Sequence, residues 1–331
     1  MPQAEIQRRV GRRRKASVRY LSPMSTSAVR FSKSEIAFTE LGLVGMAVIW
    51  GVNFSVLKYG TQVLEPLAYN GVRMLLGALT MLAVTLPQRS KLPTRRDIGL
   101  LMLLGVLGHG MYQALFIQGL SRTRAGTASL LMAASPALVA IVGRLIGIER
   151  VTRRQVLGIA LSIGGLAFVI VGSAQSSEGQ ASVSGDMLIL GAVLIWAFYT
   201  TWVRPLTERI EGMQIAAWTL AGGTIPIFLM AAPSILRTDW TTVAPLTWGA
   251  IAYSGIGSVG IAYLAWYRGV RVIGSTRTSM FSNLQPIVAV AVAWPLLGER
   301  PTPWQGVGAA GVLAGLWLSR SSSATEPAHG E

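Results

Sequence analysis

Glu149-Arg150-Val151-Thr152-Arg153-Arg154-Gln155-Val156-Leu157-Gly158 returns 150 residues later as Glu299-Arg300-Pro301-Thr302-Pro303-Trp304-Gln305-Gly306-Val307-Gly308. Glu, Arg, Thr, Gln and Gly keep their places in both copies. The same register lays Gly119, Ser129, Pro136, Ala160 and Gly165 on Gly269, Ser279, Pro286, Ala310 and Gly315. Further upstream the offset becomes 146, pairing Ala47-Val48-Ile49-Trp50 with Val193-Leu194-Ile195-Trp196. Self-similarity over this distance marks a chain built twice from one unit.

The solvent of that unit follows from composition. Of the 331 residues 51% are hydrophobic and 13% charged, and the mean hydropathy is +0.50. A soluble domain carries roughly 25% charged residues, so the chain expects a lipid bilayer as partner. Ten apolar stretches approach the roughly 20 residues that cross a hydrocarbon core, at about 41–59, 66–86, 97–120, 125–143, 154–173, 186–205, 213–233, 246–267, 275–296 and 303–319. Five fall in each copy. Because five is odd, the two copies enter the membrane with opposite orientation, and the fold class is an all-α integral membrane protein of two inverted five-helix repeats. The organisation is a basic N-terminal tail at 1–35, repeats at 36–174 and 184–320, and a polar C-terminal tail at 321–331, both tails expected to be disordered. Met24 is a plausible alternative to Met1 as the true start, and the Arg- and Ser-rich tail also has the look of a transit peptide.

Charge sets the expected topology. Lys and Arg number 29 against 14 Asp and Glu, a formal +15. In a soluble protein that would suggest nucleic acid, but with the N-terminus inside, 23 of the 29 fall in the tails and loops of one side. The positive-inside rule accounts for them. The expectation is a multi-pass protein of the cell (inner or plasma) membrane with both termini cytoplasmic and no nucleic acid partner. With no cysteine and only His109 and His329, thiolate chemistry and an ordinary zinc site are excluded, and neither metal nor cofactor is expected.

These motifs resemble the EamA-like, ten-helix branch of the drug/metabolite transporter superfamily over roughly residues 40–320. The likeness rests on Trp50-Gly51-Val52-Asn53-Phe54, on Pro66 followed by Arg73, and on the repeated Glu-Arg-x-Thr-x-x-Gln-x-x-Gly element. Ile148 departs from Gly298 at the turn before that element. The resemblance implies a secondary transporter working by alternating access, with aromatic amino acid exporters the nearest likeness. Drug/metabolite exporters and sugar- or nucleotide-type antiporters of the same superfamily are the alternatives. Inverted repeats place a substrate site near the midplane between the halves.

Polar and aromatic residues at one depth are the candidates for that site. Trp50, Asn53, His109, Tyr112, Ser135, Trp196, Tyr199, Asn283 and Gln285 all fall within about 6 Å of the midplane at the helical rise. Tyr263, Trp266 and Tyr267 are positioned to extend a pocket inward. Each could instead be a helix-packing residue. Pro136 and Pro286 hold equivalent places in the fourth and ninth spans, as hinges or simply as kinks. No carboxylate is expected deep in a span; Arg73 and His109 are the deep ionisable groups. That bias favours a small-molecule substrate bearing a carboxylate, such as a large neutral or aromatic amino acid. Thr152 and Thr302 read as helix N-caps, with Glu149 and Glu299 near the same helix starts or, alternatively, in a gating ion pair. Gly158, Gly164, Gly165, Gly311 and Gly315 read as close-packing residues, and Gly311 with Gly315 also as a dimer face. The oligomeric state stays open, a monomer included. An intramembrane serine enzyme is the remote alternative, resting on Ser258 among Gly255, Gly257 and Gly260 with His109 as its base.

Overall fold

The computed structural model describes residues 32–88, 92–147, 152–174 and 183–320. All regular structure among them is helical, in ten units: α1 (Lys33–Val63), α2 (Pro66–Thr85), α3 (Arg95–Arg122), α4 (Ala125–Leu145), α5 (Arg153–Ala174), α6 (Val183–Val203), α7 (Gly212–Arg237), α8 (Pro245–Ile273), α9 (Arg277–Leu297) and α10 (Pro303–Arg320). Among the described residues nine of these are long and apolar enough to cross a membrane. The tenth, α10, is 18 residues long and less apolar, and it packs extensively on α5. The polar tails at 1–31 and 321–331, the Met24 start, Ile148 and the Glu149-Arg150 copy of the repeated element lie outside the described residues.

Local chemistry sets the helix starts. Ser32 and Glu35 form a reciprocal capping box, Glu35 N donating to Ser32 Oγ (3.2 Å) and Ser32 N to Glu35 Oε2 (2.8 Å), so α1 begins eight residues before the expected 41. Glu65 accepts Ala68 N at 2.9 Å, with Pro66 in the first position of α2. The repeated Thr-x-x-Gln is a capping box as well. Thr152 N donates to Gln155 Oε1 (2.8 Å) and Gln155 N to Thr152 Oγ1 (3.3 Å); Thr302 and Gln305 repeat this at 2.9 and 3.2 Å. Gln satisfies the orphan amide as Glu would, without bringing a charge to the membrane.

Packing obeys the same two-fold logic as the sequence. α5 lies against α10 and α2 against α7, each helix on its own counterpart. The remaining large contacts come in matched pairs: α1 with α9 and α6 with α4, α3 with α6 and α8 with α1, α3 with α7 and α8 with α2. At the α5–α10 crossing a Cβ added to Gly165 would meet Gly308 O at 2.6 Å, and one added to Gly315 would meet Gly158 O at 2.4 Å. These are the same contact seen from the two halves. Gly311 and Gly315 therefore face α5 within the chain, which corrects the dimer-face alternative; Gly164 has no neighbour that a Cβ would touch.

Irregularities are paired too. α3 widens into π-helix over Val106–Met111 and α8 over Tyr253–Ile261. α4 is interrupted at Ala134 (φ −80°, ψ 0°), one residue before its second half opens with Ser135-Pro136. α9 is interrupted at Ser282 and Asn283, before Leu284-Gln285-Pro286. A proline early in a helix lacks only a donor that has no partner anyway. Gly298 ends α9 in the left-handed conformation (φ 71°), and Gly147 supplies φ 80° beyond α4. Gly147 makes its positive-φ turn one place earlier than the Gly298 register.

Candidate functional site

The aromatic candidates form two clusters, one beside the π-helical turn of each half. Around α3, His109 lies edge-on to Trp196 (6.0 Å) and Tyr199 (5.5 Å). Tyr112 contacts Trp196 at 5.3 Å and stacks on Phe116 at 5.6 Å. Phe116 in turn meets Phe54 of α1 at 5.9 Å. Around α8, Trp50 contacts Tyr263 (5.5 Å) and Trp266 (5.9 Å), and Tyr263 stacks on Tyr267 at 6.1 Å. The Trp50 indole N–H donates to Ser258 O in the π-helical turn at 2.9 Å, occupying a carbonyl in the widened helix. Trp50 and Trp196, matched in the sequence repeat, thus hold matched places in the fold. A small cavity lies between the clusters, lined by His109 on one side and by Val259 and Tyr263 on the other.

Close helix crossings set this geometry. Gly105 and Gly222 let the α3 and α7 backbones touch, since a Cβ on either would fall within 2.2 Å of the opposing chain. Gly223 gives the His109 Cβ room. His109 is 6% exposed, and no hydrogen bond joins it to Ser258, so the nucleophile–base contact a serine enzyme needs is missing between these two described residues.

Arg73 is the polar centre. It is 2% exposed, and its Nη2 donates to Gln113 Oε1 at 2.7 Å. Among the described residues its Nε has no hydrogen-bond partner and no carboxylate lies within ion-pair distance of it. The phenols of Tyr69 and Tyr112 lie within its electrostatic field. Asn70, one helical turn earlier on α2, is fully buried and donates to Gln113 O at 3.5 Å. Asn53 Oδ1 is buried without a hydrogen-bond partner among the described residues. Asn283 and Gln285 sit at the break in α9, where the Gln285 carbonyl packs over Gly51 of α1; Ser135 Oγ donates to Met132 O at 2.5 Å. These three belong to the broken helices rather than to the Arg73 cluster.

Lys58 lies inside α1, 2% exposed, donating to the carbonyls of Leu120 (3.1 Å), Ser121 (3.0 Å) and Thr123 (2.7 Å) at the end of α3. Asp186, in the first turn of α6, is fully buried and accepts Thr123 Oγ1 at 2.5 Å. Glu299 does not serve the helix that follows it. It reaches into the other half, accepting Ala125 N (2.8 Å) and Gly126 N (3.0 Å) at the start of α4. Arg124 Nη2 donates back to Arg300 O at 2.6 Å, and Gln305 Nε2 to Thr127 Oγ1 at 2.8 Å. The result is a buried polar seam at the end of the bundle remote from Lys33.

Two inverted five-helix units with broken helices and a buried cation near mid-depth define a multi-pass membrane transporter. The chain belongs to the EamA-like transporter family, which matches residues 37–171 and 183–321. It is 27% identical to an uncharacterized transporter (YyaM) of Bacillus subtilis, over 83% of this chain and 90% of that protein. It is 29% identical to a "probable amino-acid metabolite efflux pump" of Salmonella typhimurium, over 83% and 92% of the two chains. With a "probable terminal-alkyne amino-acid exporter" of Streptantibioticus cattleyicolor the identity is 27%, over 83% and 91%. One solved crystal structure, 18% identical, superposes with a TM-score of 0.58 over 88% of this chain and 99% of that one, a likeness of fold.

Proposed function

We propose that the protein exports carboxylate-bearing amino acids, large neutral or aromatic ones foremost, by alternating access of its two halves, with both termini cytoplasmic in the cell membrane. The observation that carries this reading is Arg73, a buried guanidinium whose one hydrogen-bond partner among the described residues is a neutral amide. A charge at membrane depth is costly and is kept where it has work to do. A substrate carboxylate would supply the missing countercharge through charge-assisted hydrogen bonds. Tyr112, Trp196, Tyr199 and His109 would hold the side chain, with Trp50 and Asn53 contributing from α1. The two relatives named for amino-acid export support the substrate class, and the 23 basic residues on one side support the orientation.

The test is counterflow of labelled phenylalanine, leucine and glycine in proteoliposomes of the purified protein. Phenylalanine is expected to move fastest, and Arg73→Gln to lower its rate at least tenfold while the protein stays monodisperse. Failure of the wild type to move any neutral or aromatic amino acid, or full activity of a folded R73Q variant, would overturn the assignment.

A further inference from the structure

Two buried polar atoms on α2 lack hydrogen-bond partners among the described residues, Arg73 Nε, a donor, and Asn70 Oδ1, an acceptor. Asn70 and Arg73 are three residues apart on α2 and so share a face. Both bond to Gln113, the arginine through the side-chain carbonyl and the asparagine through the backbone carbonyl. An unsatisfied buried polar group is expensive, and a ligand offering an acceptor beside a donor would relieve two of them together. An α-amino acid has this arrangement, a carboxylate and an ammonium on one carbon.

Resting on the export reading above, we propose that Asn70 and Gln113 complete the polar end of the substrate site. Gln113 is the neutral placeholder that the carboxylate displaces from the guanidinium. Asn70 takes the ammonium and selects zwitterions over simple carboxylates. A glutamine suits the placeholder role because its hydrogen bond to Arg73 orients the guanidinium yet yields to a charged oxygen, whereas a glutamate would not. Asn70 acts on the ligand's second group, one that a plain carboxylate lacks.

Binding of phenylalanine and of 3-phenylpropionate, its analogue without the ammonium, to detergent-purified protein tests this through intrinsic tryptophan fluorescence. Wild type is expected to prefer phenylalanine. Asn70→Leu should weaken phenylalanine about tenfold and leave phenylpropionate within about twofold, erasing the preference; Asn70→Ser is the milder variant if the leucine perturbs folding. Gln113→Glu should weaken both ligands at least tenfold by pairing with Arg73, and Gln113→Asn should restore most of the loss. Equal weakening of the two ligands by both Asn70 variants, or unchanged affinities in Gln113→Glu, overturns the subsite while leaving the export reading standing. Wild type that binds neither ligand overturns the export reading and the subsite with it.

Discussion

Single residues in this bundle earn their places by what they satisfy. Lys58 lies inside a membrane helix, yet its ammonium spends all three protons on carbonyls that end α3. Helix ends leave such carbonyls without intrahelical partners. Lys58→Met is therefore expected to lower stability by about 2–3 kcal/mol, read as a reduced melting temperature in detergent, without altering ligand preference. An unchanged melting temperature would mean that water serves those carbonyls equally well. Trp196 differs, because it touches His109, Tyr112 and Tyr199. Trp196→Ala removes three ring contacts of roughly 0.5–1.5 kcal/mol each and should raise the KM for phenylalanine about tenfold, with a smaller effect on leucine. Equal KM changes for the two substrates would remove Trp196 from side-chain selection. The sequence placed His109, Tyr112, Trp196 and Tyr199 at one depth, and they do meet. It missed Asn70 and Gln113, because at the helical rise they lie about 9 Å and about 7 Å from the midplanes of their expected spans, beyond the depth that singled out Asn53.

At the scale of helices, the repeated glycines mark the tightest join. The α5–α10 crossing brings Gly158 against Gly315 and Gly165 against Gly308, so close that a Cβ would overlap opposing backbone. In lipid such close approach substitutes for the hydrophobic drive available in water. Gly165→Leu is expected to separate α5 from α10 and cut the folded yield severely, whereas Gly164→Leu, which meets nothing within 4 Å, should be neutral. Gel filtration of the two variants decides this; equal behaviour would show that the crossing is not required for folding. Helix existence and the repeat were legible because apolar runs and offset identities are local signals. Helix ends were less so, since α1 runs past Lys58 to Val63 and nothing in that stretch breaks a helix. The partner of Glu299 was illegible for a different reason. Its proximity in sequence to α10 suggested a local cap, while the amides it serves lie 173 and 174 residues away.

For the molecule as a whole, the two ends of the bundle are tied unequally. At the end remote from Lys33, Glu299, Arg124 and Gln305 join the halves through buried or half-buried bonds. At the other end the described ties between halves include the Arg277–Glu40 and Arg209–Asp97 pairs, both at 2.7 Å, with arginine side chains 59% and 53% exposed. Exposed pairs are worth little, about 0–1 kcal/mol, whereas hydrogen bonds to a charged group are worth roughly 1.5–3 kcal/mol each. The remote end is thus the more firmly tied, and Glu299 is expected to bias an alternating-access cycle toward closure there. Removing its carboxylate should shift the balance by a factor of roughly ten or more. The chain has no cysteine, so Ser135→Cys, at the break in α4, provides one thiol at mid-depth without background. A membrane-impermeant maleimide applied from the side opposite the termini is expected to label Ser135→Cys slowly in the otherwise native chain, and about tenfold faster when Glu299→Gln is added. Because Gln keeps the side chain's size and removes only its charge, an unchanged rate would assign Glu299 to helix capping alone, with no part in which face of the transporter is open.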